Sequence, residues 1–451
     1  MHRHLNTCAK TMFNPKTAIL FLGLALAGSP AMKAQEHPTL AANLQKLYDL
    51  ADQNNRVLKL LQNNEAIAEK AIQVEKDKLL PSLEATLALS YISNGYITDR
   101  DFSNGFSVDI PSFGNSFIVE AKQLIYAGGA VNKAIELAKT NKEISALKTK
   151  QTQQDIRFMI TSYYLEIMKM QNQLQIVEKN KEQTLKVKDQ IKARYKEGVA
   201  LKNNITRYDL LLQNLDLTIL KLNNGISILK SELLNALQLP KGTNLNLEQE
   251  NLFSEELQLN DTDWESFALE NAPSLKESGL QIAQAEKASE LVKTDSLPQV
   301  FAFAGNYLNG PVMIEIPVLD NNFNYWNVGV GIKYNISSLF KNKSKEEQTK
   351  LGIISAQEHD AIVKDDLKVK VEAAQIRLSE SINSYQTHLK GVELATENYT
   401  IVKNRFLNDM ALMTEMLDAD NTKLDSEMQT ANSKINILFQ YYQLKKLTGT
   451  L

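Results

Sequence analysis

The sequence has one cysteine in 451 residues, and this residue, Cys8, precedes the apolar run Ala18–Ala27. Residues 1–34 carry four basic side chains and no acidic one, and small residues follow the apolar run up to Ala34. This pattern is typical of a secretory signal peptide, and its removal leaves a chain without a thiol. Disulfides, thiolate metal sites and cysteine nucleophiles are thereby excluded from the mature chain.

Long apolar segments are also absent. The run Ala18–Ala27 is too short to cross a bilayer as a helix, which disfavours the alternative interpretation of a membrane anchor. Cleavage after Ala31 and a start at Met12 are alternatives to cleavage after Ala34. After the signal, the sequence offers no segment with the length and apolarity of a transmembrane helix. We therefore expect an exported protein without a helical anchor.

Patterns that carry catalysis, metal binding or nucleic-acid binding are missing as well. The five histidines show no metal-ligand spacing, and no glycine loop or nucleophile constellation is present. Neighbouring acids such as Asp365/Asp366 and Asp418/Asp420 are interpreted as solvated helix surface. The formal net charge is −3, without a basic stripe interleaved with aromatics. The sequence therefore predicts neither an enzyme nor a nucleic-acid-binding protein, and no cofactor or metal.

Proline and glycine are scarce, with 10 and 18 residues, and helix formers dominate. Residues 130–197 contain neither, and as one helix they would be about 100 Å long. A narrow stripe with four-three spacing inside this segment is typical of a coiled-coil seam; it consists of Ile156, Ile160, Tyr163, Ile167, Met170, Leu174 and Val177. The turn at Gly198 and a second helix up to about Leu239 make a helical hairpin.

An internal repeat organises the chain. Ala51–Ala85 aligns without a gap with Ala268–Ala302, 217 positions later, and both copies reach a Leu-Pro (Leu80-Pro81 and Leu297-Pro298). Proline stops a helix and favours extended structure. The sequence predicts a signal peptide (1–34), a first repeat (35–239), a linker or equatorial segment (240–262) and a second repeat (263–451). A helix over about 39–80, in two pieces meeting near Gln53–Arg56, opens the first repeat.

Each repeat also carries a predicted strand pair, at about 83–126 and about 299–336, before its helical hairpin at 130–239 or 340–448. Apolar and polar residues alternate from Leu83 to Tyr91, which predicts a strand with one apolar face. The clearest alternation covers 326–336, the length of a tilted membrane strand. Its predicted lipid-facing residues are Trp326, Val328, Val330, Ile332 and Tyr334. Because Gly331 lies on the opposite face, we expect Gly331→Ser to be tolerated.

Four strands cannot close a membrane barrel and would leave unpaired edges in lipid. Three copies supply twelve strands, which is an even number and removes every edge. The predicted fold is therefore mainly α with a small β part. Duplicated long helical hairpins form an α-barrel, and four transmembrane β-strands per chain form a 12-stranded barrel in a homotrimer embedded in lipid.

The order of Ala-rich helix, Leu-Pro, strand pair and helical hairpin resembles the outer-membrane efflux family, the trimeric tunnel proteins related to TolC. The resemblance covers 51–239 and 268–447. It implies an outer-membrane channel that extends into the periplasm and acts as the passive exit duct of a tripartite efflux system. A periplasmic adaptor (membrane fusion) protein and an inner-membrane transporter of RND type would be its partners. A type I protein-secretion channel is the alternative, and a periplasmic coiled-coil scaffold or adaptor without a pore is a further one.

The resemblance also assigns roles at the hairpin ends. An acidic ring closing the periplasmic end falls on Glu415 and Asp418. The tyrosine, arginine and acid of the family's closing network correspond to Phe406, Ala411 and Asn204, which differ from that pattern. Adaptor docking falls on the two hairpin turns, whose residues are Gly198, Val199, Ala200, Leu201, Met410, Ala411 and Leu412.

Overall fold

The structure is a computed structural model that describes residues 39–248 and 263–451. The predicted signal peptide and residues 249–262 of the predicted linker lie outside the described residues. The helices are α1 (Leu44–Asn54), α2 (Arg56–Asp77), α3 (Ala130–Lys196), α4 (Lys202–Ala236), α5 (Trp264–Asn271), α6 (Pro273–Thr294), α7 (Ser338–Leu407) and α8 (Met413–Leu447). The strands are β1 (Thr39–Ala42), β2 (Ser82–Tyr91), β3 (Gly95–Ile97), β4 (Phe106–Val108), β5 (Phe113–Tyr126), β6 (Asn244–Leu247), β7 (Gln299–Gly310) and β8 (Phe323–Lys333).

The two sequence copies adopt the same local structure. The break before α2 is at Asn55 (φ −61°, ψ 127°), and the break before α6 is at Ala272 (φ −58°, ψ 124°). These two residues are 217 positions apart, as are the first residues of β2 and β7, which follow the prolines at 81 and 298. The repeat in the sequence is therefore a repeat of the helix, of its break and of the strand that follows.

Two long helices form the centre of each half. Helix α3 packs against both α2 and α4, and α7 packs against both α6 and α8. Contacts of α3 with α6 and α8 join the halves. The order across the chain is therefore α2-α3-α6-α7 beside the sheet and α4-α3-α8-α7 towards the hairpin turns. The predicted mainly helical fold is confirmed.

The principal sheet is antiparallel with the order β2-β5-β7-β8. Strands β2 and β8 are its edges, and each has one neighbour within the described residues. The edge strands thus lie on the same sides of the chain as α2 and α7, to which they are directly connected. Closure of this sheet into a barrel is not a property of the single chain.

One prediction about the chain near residue 40 is wrong, because residues 39–42 form a strand instead of a helix. This strand pairs in parallel with β6 at Asn244–Leu247, within the predicted linker or equatorial segment. Burial explains the pairing, since Ala42 and Leu245 lie in the main hydrophobic core. Helix α1 starts only after Asn43, whose side chain accepts a hydrogen bond from Lys46 N at 2.9 Å.

The last strand lies three residues earlier than predicted. Strand β8 is Phe323–Lys333 instead of 326–336, so that Tyr334 lies outside it. Tyr325 is opposite Tyr307, and the two rings stack with centroids 5.0 Å apart. At the other end, Asn335 accepts hydrogen bonds from Ser338 and Ser337 at the start of α7. Stacking therefore extends the strand at its start, while the hydrogen-bonded turn from Asn335 into α7 follows its end.

Candidate functional site

One face of the sheet is mainly apolar and is interrupted by Asn115, Gln123, Asn306 and Asn324. Strand register brings together the alternating residues Leu83, Ala85, Leu87, Leu89, Tyr91, Phe117, Val119, Ala121, Val300, Ala302, Ala304, Leu308, Trp326, Val328, Val330 and Ile332. The large residues on β2 and β8 are exposed, with Trp326 at 74% and Ile332 at 73%. Four of the five residues predicted to face lipid thus lie on this face, whereas Tyr334 follows the strand. An exposed apolar face of this extent requires a non-aqueous neighbour.

The opposite face is polar, with aromatic rings seated over glycines. One row across the sheet is Glu84, Glu120, Gly305 and Asn327. Tyr307 donates a hydrogen bond to Glu120 Oε1 at 2.8 Å. The rings of Phe301 and Phe303 cover Gly331 and Gly329.

The expectation that Gly331→Ser is tolerated conflicts with this packing. A Cβ at Gly331 would lie 2.5 Å from Cζ of Phe301, so the ring has to move before any side chain fits. The sequence pattern placed Gly331 on the correct face but could not show that a neighbouring ring occupies the space.

The two hairpin turns have matching backbones. Gly198 (φ 79°) and Asp409 (φ 60°) are 211 positions apart and both adopt the left-handed conformation. Val199 N donates to Arg194 O at 2.9 Å, and Met410 N donates to Arg405 O at 2.8 Å. Glycine adopts positive φ readily, whereas Asp409 is a less common residue there. Both turns thus end a long helix with the same hydrogen-bonded loop.

These turns present apolar side chains to solvent. Val199, Leu201, Met410 and Leu412 are exposed, while Ala200 and Ala411 are partly buried against the small core at this end of the hairpins. Arg194 joins the turns, because it donates to the carbonyls of Phe406 and Leu407 and pairs with the carboxylate of Asp409. The turns of one chain therefore form one exposed apolar surface held by an arginine.

The predicted acidic ring residues lie at the start of α8. Glu415 and Asp418 are both exposed, and Glu415 Oε2 accepts a hydrogen bond from Leu412 N at 2.7 Å. Glu415 therefore caps its own helix. At the three positions that depart from the family pattern, Phe406 is buried, and Ala411 and Asn204 are partly buried. Phe406 and Ala411 belong to the small hydrophobic core at this end of the hairpins, so they contribute apolar packing where the family pattern has a tyrosine and an arginine.

The interpretation of Asp420 as a solvated acid is wrong. Its side chain is buried at the interface of the two hairpins, where Asn180 Nδ2 donates to its Oδ1 at 3.3 Å. Burial raises the pKa of the Asp420 carboxyl, and the nearby Lys423 opposes this shift only in part. Asp420 follows the buried Ala419 on α8. The prediction of an exposed position depended only on the residue type, since aspartate is usually exposed.

Exposed apolar stripes run along the two lateral sides of the chain. On α2 they are Leu60, Ile67 and Val74, which repeat every seven residues. An apolar groove lies along the contact of this helix with α3. On the other side, Ile362, Val369 and Ile376 repeat every seven residues on α7. Such spacing is typical of a coiled-coil seam, and each stripe lacks a partner helix within residues 39–248 and 263–451.

Comparison with protein families gives a match over residues 47–206, to the family described as outer membrane efflux protein. The resemblance to outer-membrane efflux channels is confirmed. The fold is that of the outer-membrane channel OprN (TM-score 0.76, 12% identity, 90% of each chain covered). It is also that of VceC from Vibrio cholerae (TM-score 0.73, 11% identity, 90% of this chain and 96% of that chain).

The CmeC outer membrane channel of Campylobacter jejuni is a further structural match (TM-score 0.71, 15% identity, 90% of this chain and 85% of that chain). Comparison with curated proteins gives no match. The predicted function class, an outer-membrane efflux channel, and the predicted location in the outer membrane and periplasm are confirmed. The matched family consists of channels rather than enzymes.

Within the described part of the chain, no helix combines the length and the apolarity needed to cross a membrane.

Proposed function

We propose that this protein is the outer-membrane channel of a tripartite efflux system. It works as a homotrimer, receives substrates from an inner-membrane transporter of RND type through a periplasmic adaptor, and releases them outside. The observation that carries this proposal is that both lateral sides of the chain lack a packing partner within the described residues. Each side combines an edge strand with an exposed heptad stripe on the adjoining helix.

A ring of copies satisfies both sides at once. The β8 edge of one copy pairs with the β2 edge of the next, and the α7 stripe packs on the α2 stripe. Such a head-to-tail contact closes when the rotation between copies completes a circle. Three copies give twelve strands and leave no edge in lipid. The apolar sheet face then contacts lipid, and the row of Glu84, Glu120 and Asn327 faces the pore.

The far ends of the hairpins are the proposed contact with the adaptor. Each chain presents Val199, Leu201, Met410 and Leu412 there, and a trimer presents three such surfaces around its opening. Their apolar character suits an interface that is buried upon assembly. Helix α7 has 70 residues and is therefore roughly 100 Å long. This length is enough to reach deep into the periplasm.

Membrane fractionation and reconstitution test the proposal. We expect the protein in the outer-membrane fraction, a trimer after crosslinking, and stepwise conductance in planar bilayers. A monomer in the periplasmic extract would contradict both the ring and the pore. It would favour the coiled-coil scaffold instead.

The choice between efflux and type I protein secretion depends on the cargo. Deletion of the gene should sensitise cells to small toxic compounds and leave the secreted proteins unchanged. The reverse result would identify the secretion channel.

A further inference from the structure

Near the hairpin turns, the interface between the two hairpins contains charged groups instead of a purely apolar core. Asp420 and Lys423 of α8 are only 3% and 7% exposed. Both reach helix α3 of the other hairpin: Asp420 accepts from Asn180, and Lys423 Nζ donates to Gln183 Oε1 at 3.1 Å. Buried charges are uncommon because they lose hydration, so this pair requires an explanation.

The matching region of the first hairpin has a different arrangement. At the offset of 211, Asp420 corresponds to Asp209, which forms an ion pair with Lys188 of its own hairpin at 2.5 Å. The position of Lys188 is occupied by Tyr399 in the second hairpin, so that Asp420 lacks an equivalent lysine there. The position of Lys423 is occupied in the first hairpin by the buried, apolar Leu212. The second hairpin thus directs both charges towards the first.

Every element packed around Asp420 contributes a polar or charged group. They are Asn180 from α3, Tyr208 from α4, Tyr399 and Lys403 from α7, and Lys423 and Glu427 from α8. Lys423 Nζ lies 4.8 Å from the centroid of the Tyr399 ring and 3.7 Å from Glu427 Oε1. The buried hydroxyl of Tyr208 has no hydrogen-bond partner among the described residues. The cluster therefore joins all four helices.

A cluster of this kind adds little net stability. The cost of desolvating buried charges often exceeds the gain from pairing them, and well-packed apolar side chains are as stable or more so. Its hydrogen bonds have directions, however, and they are satisfied in one alignment of α8 against α3. The cluster lies roughly 12 Å along the helix from the turn at Leu412. A small shift of α8 against α3 at the cluster therefore also moves the exposed turn at Leu412.

We propose that Asp420 and Lys423 are positioning residues, which hold the second hairpin in one alignment against the first and thereby set the separation of the two turns. The inference rests on the proposed function in one respect, namely that the separation of the turns controls the opening of the duct. The alignment itself is a property of one chain and is measured directly.

Spin labels on the turns provide the measurement. Residues 9–451 contain no cysteine, so Val199→Cys and Met410→Cys introduce the only labelling sites of the mature chain. Electron–electron distance measurements on the purified full-length protein in detergent then report the spacing of the turns. In this background we compare two variants. Lys423→Leu introduces the residue type that the first hairpin has at the matching position, Leu212, and Asp420→Asn keeps the shape of the side chain. We expect a longer and broader distance distribution in both variants.

Two further variants separate positioning from general damage. Asp209→Asn removes the matching acid of the first hairpin, whose partner Lys188 belongs to the same hairpin, and should leave the distance unchanged. The exchange Asn180→Asp/Asp420→Asn returns one carboxyl and one amide to the same contact and should restore the narrow distribution. In the parent protein the distribution should differ between mildly acidic and neutral buffer, and in Asp420→Asn it should not.

The outcomes are distinct. Unchanged distances in folded Lys423→Leu and Asp420→Asn would overturn the proposal, as would equal broadening in Asp209→Asn. Absence of conductance in the parent protein would count against the proposed channel while leaving the distance result valid. Altered distances with normal conductance would confine the role of the cluster to the alignment of the hairpins.

Discussion

The ring of Phe301 on β7 covers Gly331 on β8, and a Cβ at the glycine would lie 2.5 Å from the ring carbon Cζ. A second ring, Phe303, covers Gly329 in the same way. The two pairs fix which residues of β7 and β8 are opposite each other, because a shift in register would drive the rings into side chains. An aromatic ring over a strand glycine also fills the space that the missing side chain leaves.

We predict that Gly331→Ser destabilises the protein by about 1–3 kcal/mol, the usual cost of overpacking. Thermal unfolding of the purified protein measures the effect. Gly352→Ser is the matched control, since a Cβ at this helical glycine meets nothing within 4 Å. Adding Phe301→Leu should recover part of the loss. Equal melting temperatures of Gly331→Ser and Gly352→Ser would show that the ring moves aside at no cost.

We predict that Val330→Arg impairs assembly of the trimer. Val330 lies on the apolar sheet face, and an arginine on the lipid face costs roughly 2–4 kcal/mol per chain near the bilayer midplane. The control is Asn327→Arg on the polar face of the same strand. The yield of crosslinked trimer in the outer membrane reports assembly. Similar yields from the two variants would mean that the faces are reversed or that β8 is not a membrane strand.

The sequence predicted the elements whose pattern is local and missed those that depend on distant partners. Alternation identified the faces of β8 correctly, because it needs only neighbouring residues. Both bounds of β8 were wrong, since stacking of Tyr325 on Tyr307 extends its start and the hydrogen-bonded turn at Asn335 follows its end. Asp420 was misplaced for the same reason, because it packs against α3, whose Asn180 is 240 positions away in the sequence.

We predict that charge at the first hairpin turn abolishes export. Val199→Asp/Leu201→Asp places two charges on the exposed apolar surface proposed to bind the adaptor. Because this surface lies far from the sheet, the level of trimer should be unchanged. Accumulation of a fluorescent efflux substrate in cells measures the loss. Leu217→Asp, on an exposed part of α4 away from the turn, is the control. Normal export in the double variant would place docking elsewhere.

We predict that Asp420 makes stability depend on pH. Burial raises the pKa of its carboxyl in the folded protein above the value in the unfolded chain. The folded state therefore binds the proton more tightly, and this contribution to stability is fully present below the unfolded pKa. It is lost as the pH rises through the folded pKa. The difference in melting temperature between parent and Asp420→Asn should consequently change with pH in this window. A difference that is constant with pH would contradict the raised pKa.

The last prediction concerns ion selectivity at the periplasmic end. In the proposed trimer, Glu415 and Asp418 bring up to six carboxylates to the opening. They are three residues apart on α8, so they share a face, and both are exposed in the single chain. Carboxylates this close attract cations and bind divalent ions. The start of α8 offsets part of their mutual repulsion through its helix dipole.

We therefore expect a cation-selective pore that divalent cations block, with the block lost in Glu415→Gln/Asp418→Asn. Glutamine at 415 keeps a side-chain oxygen that can accept the hydrogen bond from Leu412 N, so the start of α8 should remain capped. Bilayer conductance with asymmetric salt measures selectivity, and titration with a divalent cation measures block. Asp425→Asn, an exposed acid farther along α8, serves as the control. If the double variant conducts with the selectivity and block of the parent, the two acids face solvent outside the duct.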